Sequence, residues 1–238
     1  MVSSDKTPRR GFLGRVFGAA AALSLPIPGL RAEQAAPAAG PDDWLKEVKG
    51  THRCLFDSPR HVNGFGLLHI LNYLSTYSAA YKTPAGQAGA VGTFYGVGSA
   101  SSISMGFNDA MWAKYGLGEY TGLKDAAGKP YTRNVFHRPT KADAHVLAQG
   151  VPIPNLAMLG DAMPALGIES LQKMGTKFLL CNNALGLWTL ELEARGKGKV
   201  ADIDKDLRAN LLPGVTIVPA MVIAIEKAQG AGITYNRQ

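Results

Sequence analysis

The chain carries two cysteines, Cys54 and Cys181, and Cys181 stands in the run Lys177-Phe178-Leu179-Leu180-Cys181-Asn182-Asn183, where an apolar stretch meets a polar pair. A thiol at the handover from strand to helix is placed for nucleophilic chemistry. The N–H groups that open a helix have no partner inside it, and they and the helix dipole favour a thiolate over a thiol. The spacing predicts a helix from Ala184 or Leu185, capped by the side-chain oxygens of Asn182 and Asn183. Cys181 is the candidate nucleophile and Asn182 the candidate stabiliser of charge on its sulfur. The competing reading is the commonest fate of a free cysteine, a small buried hydrophobe. Cys54 and Cys181 fall on different predicted strands, and spacing alone does not decide whether they pair.

A second chemical feature follows residues 90–95, where Gly96, Gly98 and Ser99 open a small-residue loop. At the carboxyl end of a parallel strand such a loop can turn backbone N–H groups toward an anion such as thiosulfate or sulfite; its bland alternative is a mere connection. It is not a dinucleotide fingerprint, because the third glycine is replaced by Ser101. Neither Gly-x-x-x-x-Gly-Lys-Ser/Thr, Gly-x-Ser-x-Gly nor Cys-x-x-Cys-His occurs, and no cofactor is expected from motifs. Five histidines, His52, His61, His69, His137 and His145, show no metal-ligand spacing, so no metal site is assigned from them. A haem or metal site assembled from them in three dimensions remains an alternative.

The elements that would position these groups alternate. Residues 52–56 read as a strand, and a helix opens at Asn63 or Gly64 with Leu67, Leu71, Leu74 and Tyr81 at helical spacing. A second strand at 90–95 leads to a helix at 107–115. Periodicity weakens over 116–163, which reads as an insertion containing a short helix around 141–149. A helix at 168–174 stopped by Gly175 precedes the Cys181 strand. Residues 215–218 form a further strand, Pro219 begins a helix at 221–229 stopped by Gly230, and 233–235 is the last strand. This alternation predicts an α/β fold, a mostly parallel sheet of about five strands with helices on both faces. Trp112, Tyr115, Tyr120 and Tyr131 are expected to pack an oligomer interface or the insertion. Lys197 and Lys199 read as a solvated turn.

The domain is expected to occupy residues 51–238, behind a linker at 33–50 in which Asp42 to Lys49 could make one amphipathic turn. Residues 1–32 read as an export signal of twin-arginine type, with Arg9-Arg10-Gly11-Phe12-Leu13 ahead of an alanine-rich apolar run at 16–25. That run spans only about 15 Å as a helix, short of a bilayer of roughly 30 Å, so no membrane span is expected after processing. Removing residues 1–32 takes away five basic residues and one acid, leaving 20 against 17 and reducing the net charge from +7 to +3. No basic stripe interleaved with aromatics remains, which argues against nucleic acid as a partner. A soluble protein acting in the periplasm, or otherwise outside the cytoplasm, is the expectation.

The C-terminal sixty residues resemble the DsrE/DsrF-like family of small sulfur-handling proteins. The resemblance rests on Phe178 to Asn183, on Asn210-Leu211-Leu212-Pro213-Gly214-Val215, and on Val218-Pro219-Ala220 onward to Gln229. It implies a DsrE-like fold, a homo-oligomer, and a cysteine at the place of Cys181 that carries sulfane sulfur as a persulfide, exchanged with a reduced sulfur species or a thiol partner protein. The export signal and the long 116–163 segment depart from the compact cytoplasmic members. The alternative from another class is a non-catalytic periplasmic binding or assembly subunit of a redox complex.

Overall fold

The computed structural model describes residues 40–147 and 160–238; the expected export signal, residues 33–39 of the linker and the end of the helix anticipated at 141–149 lie outside them. Five parallel strands form one sheet: β1 (His52–Asp57), β2 (Ala88–Phe94), β3 (Thr176–Cys181), β4 (Val215–Val218) and β5 (Thr234–Arg237), in the order β4-β3-β2-β1-β5. The α/β class expected from the sequence is what the chain adopts. The central strands β2 and β3 are buried on both faces, which is why they read as short unbroken runs of small and apolar residues rather than as alternating ones.

Among the described residues eight α-helices connect or flank the strands: α1 (Phe65–Ala79), α2 (Asp109–Tyr115), α3 (Leu117–Thr121), α4 (Ala144–Leu147), α5 (Ile168–Lys173), α6 (Asn182–Ala194), α7 (Val200–Ala209) and α8 (Met221–Gly230). Side-chain alternation sorts them by face. Gly92 in β2 leaves room for the ring of Phe178, which a Cβ would meet at 2.4 Å, and Ile70 of α1 packs over the same spot. The face of Gly92, Phe94, Phe178 and Leu180 therefore lies under α1. The 3-10 turn Ser102–Gly106 covers the same face, since a Cβ on Gly106 would meet Leu180 and Phe94. Trp188 of α6 stacks on Phe107 just beyond it, with ring centroids 5.3 Å apart. The opposite face, that of Gly89, Val91 and Cys181, receives the turn Asp43–Glu47 with its buried Trp44 and the start of α8.

Most of the anticipated elements are present with ends moved by a few residues, and two departures have clear causes. α7 is a helix not expected from the sequence; Ile203 and Leu207 supply its buried face. Its first turn is closed from outside, the Val200 N–H donating to Glu193 Oε1 at 3.0 Å, so no local capping residue announces it. The described part of the 116–163 insertion is folded rather than bare. Besides α3 it holds a 3-10 turn at Lys141–Asp143 with a Thr140 capping box, running into α4, and a 3-10 turn at Met163–Leu166. Its tie is Asp143, 2% exposed, which accepts from Tyr131 at 2.7 Å, from Arg133 at 2.6 and 2.7 Å, and from the Thr140 N–H and hydroxyl. Burial alone pushes the Asp143 carboxyl up, but these donors outweigh it and hold it below its usual range. Trp112, Tyr115, Tyr120 and Tyr131 are buried within the chain itself.

Candidate functional site

Cys181 is the last residue of β3 and the N-cap of α6. The helix begins at Asn182, two residues earlier than the asparagine pair suggests, and the capping acceptor is the sulfur itself: the Ala184 N–H donates to Cys181 Sγ at 3.4 Å. A second N–H, from Met221 at the start of α8, reaches the same sulfur at 3.3 Å. The two helices leave the ends of adjacent strands toward opposite faces of the sheet. Cys181 thus lies at the switch point where open parallel sheets bind their ligands. Two N–H dipoles, each backed by a helix of ten or more residues, form a cradle for a sulfur atom bearing negative charge. Cys181 is nevertheless only 6% exposed.

Asn182 follows as the first helical residue. Its Oδ1 is buried and meets no hydrogen-bond partner among the described residues. Ser101 Oγ in the loop after β2 and Trp188 Nε1 of α6 are likewise buried without a partner, but Asn182 directly follows the cysteine, and turning its amide over would present the NH2 group instead. Asn182 does not cap α6, and Asn183 is exposed.

The loop of Gly96, Gly98 and Ser99 lies at the carboxyl end of β2, next to β3. Gly96 has φ +93°, and a Cβ there would sit 2.7 Å from the Pro59 carbonyl oxygen, so only glycine fits. The Gly98 N–H points not to an open space but to Glu191 Oε2 of α6 at 3.2 Å. Glu191 also accepts from the Tyr120 hydroxyl at 2.8 Å and from Arg195 at 3.1 Å. One of the amides that the sequence offers to an anion is therefore held by an internal carboxylate. Ser99 is bound through its backbone by His61, a buried histidine whose Nδ1 accepts from the Asn63 N–H at 3.2 Å.

One group in this region has no counterpart in the sequence reading. Asp57, at the end of β1 and 5% exposed, accepts from the hydroxyls of Tyr95 at 2.8 Å and Tyr235 at 2.7 Å, with Thr93 at 3.4 Å. Alternation puts Asp57 and Cys181 on the same face, two strands apart. Burial, then the hydrogen bond to Asp57, raises the Tyr95 phenol; the bond to Asp57 is the main cause for Tyr235. Only its position as a lone acid closing an apolar strand could have flagged Asp57.

Cys54 and Cys181 are free thiols on opposite faces with β2 between their strands, which excludes a bridge between them. Burial pushes the Cys54 thiol up, and it takes no part in the cradle. The histidines have separate duties: His69 pairs with Gln238, His52 stacks on Tyr77 with centroids 4.4 Å apart, and His145 meets the Ala142 and Lys124 carbonyls at 2.8 and 3.1 Å. Among the described residues no group of three His, Cys, Asp or Glu is placed to hold a metal ion, and no helix is long and apolar enough to cross a membrane. The chain matches no protein-family model, no curated protein and no solved structure.

Proposed function

We propose that this is an exported sulfur-binding or sulfur-relay protein of DsrE-like kind in which Cys181 carries sulfane sulfur. The observation that carries the reading is the pair of N–H groups, from Ala184 and Met221, that meet at one sulfur at the switch point of the sheet. In this reading the Cys181 thiolate attacks the outer sulfur of a sulfane donor, the donor's sulfur–sulfur bond breaks, and the leaving group departs with the electron pair. The new persulfide then passes its terminal sulfur to an acceptor thiolate, which regenerates Cys181. Asn182 steadies the added sulfur through its unpartnered amide. The loop of Gly96, Gly98 and Ser99 borders the site, and we assign any anion contact there to amides other than that of Gly98, which Glu191 occupies.

The test is intact-mass and peptide mass spectrometry of the full chain after treatment with inorganic polysulfide, beside Cys181→Ser. Addition of 32 Da on the Cys181 peptide, absent from the variant, is expected. Absence of added sulfur there, or equal labelling of Cys54, removes the reading. Serine is a good helix cap, so the variant keeps its fold.

A second reading has an observation of its own. The exposed apolar residues Val222 and Ile223 follow directly on Met221, with Val97 exposed on the neighbouring loop. This favours a protein interface beside the site, as a homo-oligomer or as the binding subunit of a redox complex without covalent chemistry. Full protection of Cys181 from alkylation in the native assembly would decide for it.

A further inference from the structure

The chain has eight tyrosines, and their hydroxyls divide sharply. Five are spent on carboxylates: Tyr95 and Tyr235 on Asp57, Tyr115 on Asp206, Tyr120 on Glu191 and Tyr131 on Asp143. The other three, Tyr73, Tyr77 and Tyr81, meet no hydrogen-bond partner among the described residues, and all three line one cleft. α1 already buries a stripe of Leu67, Ile70 and Leu74 against the sheet. A second stripe, Phe65, His69, Tyr73, Tyr77 and Tyr81, repeats every four residues along its flank and one turn beyond it. Tyr73 packs against the core, but the outer end of the stripe does not, Tyr81 being 71% exposed.

The cleft lies between this stripe and β5, the edge strand, on the face opposite Cys181. Its volume is about 420 Å³, within the range of roughly 300–1,000 Å³ found for small-molecule sites. The rings are held by one another and by the sheet: Phe56 meets Tyr73 edge-on at 5.5 Å, Tyr73 meets Tyr77 at 4.9 Å, and Tyr77 meets Tyr81 at 5.3 Å. The preformed wall is aromatic and its polar atoms are chiefly donors. Three phenols and the amides of Asn72, Asn236 and Gln238 border it together with His69 and Thr76; among the described residues no Asp or Glu side chain lines it, and Arg237 is its one charged side chain. Burial raises the Tyr73 phenol, so it stays a protonated donor.

We propose that this cleft binds a small planar aromatic molecule bearing carbonyl or carboxylate oxygens at its edge. The ring system stacks on one of the rings of Tyr73, Tyr77 and Tyr81 and meets the others at an angle, since Tyr73 and Tyr77 stand at 71° to each other, and its oxygens accept from their hydroxyls and from the amides. The site is independent of Cys181 chemistry and stands or falls without it.

Isothermal titration of the full chain with three probes of one size tests the assignment: 2-naphthoate, its saturated analogue decahydro-2-naphthoate, and 2-naphthylmethylammonium. The aromatic carboxylate is expected to bind, the other two at least tenfold more weakly. Changing Tyr73→Phe, Tyr77→Phe and Tyr81→Phe together keeps the rings, removes the donors and should weaken 2-naphthoate at least tenfold. Tyr81→Ala, at an exposed position outside the core, should weaken it severalfold without altering the thermal melt. Failure of 2-naphthoate to bind, equal binding of the saturated or cationic probe, or unchanged affinity in the triple variant overturns the proposal.

Discussion

Cys181 differs from Cys54 by what its sulfur meets. Both are buried and both stand in central strands, yet Cys181 Sγ accepts two N–H groups whereas Cys54 faces the underside of α1. Sulfur is an unusual cap, and the neighbouring asparagines drew the capping role in the sequence because their oxygens are the commoner acceptors. The position of the thiol was legible from the apolar run and the polar pair. The second donor was not, since Met221 lies forty residues away and arrives only through the order of the strands. Gly96→Ala forces a Cβ onto the Pro59 carbonyl at a backbone angle that alanine resists, and should cost about 1–3 kcal/mol in urea unfolding. A variant as stable as the parent would show that the loop shifts freely.

At the scale of elements, the loops after β1 and β2 are stitched together, and a histidine is part of the stitching. The His61 N–H donates to the Ala100 carbonyl at 2.9 Å, the Ser102 N–H to Pro59 at 3.2 Å, and the His61 ring must be neutral at Nδ1 to accept from Asn63. Burial lowers His61 and also His137, with Arg60 and Arg138 respectively acting in the same direction. The sign follows. Folded values below the unfolded value of about 6.5 mean that the unfolded chain takes up more protons, so this stability is complete above about pH 6.5 and falls as pH drops through that value toward the folded ones. Urea midpoints should be lower at pH 5.0 than at pH 7.5, a window above the carboxylate range, and His61→Gln with His137→Gln should flatten the difference. Equal midpoints in the parent would contradict the role of these rings. Long periodic elements such as α1 were legible because each carries its own apolar stripe. α7 was not, because its first turn is capped by Glu193 of α6 and its apolar contacts are only Ile203 and Leu207.

Across the whole molecule, the succession of strands and helices was readable, and the placing of β5 beside β1 was not. A four-residue strand with every residue exposed carries no pattern that names its neighbour. That placement has consequences on both faces of the sheet: it brings Tyr235 to Asp57, and it builds the wall of the tyrosine cleft. The exposed pair Val222 and Ile223 bears on assembly. Light scattering of the full chain should report a homo-oligomer, and Val222→Asp with Ile223→Asp should shift it toward the monomer. A parent that is monomeric at micromolar concentration would remove assembly from the account.

The central claim is that Cys181 holds a sulfur able to carry negative charge and to be reached from solvent. Its most direct test is the rate of iodoacetamide alkylation at each cysteine in the native full chain at neutral pH, followed by peptide mass spectrometry. The account predicts that Cys181 is modified at least tenfold faster than Cys54, which reacts only when the chain unfolds. Cys181 silent to the same degree as Cys54 in the native protein would contradict it.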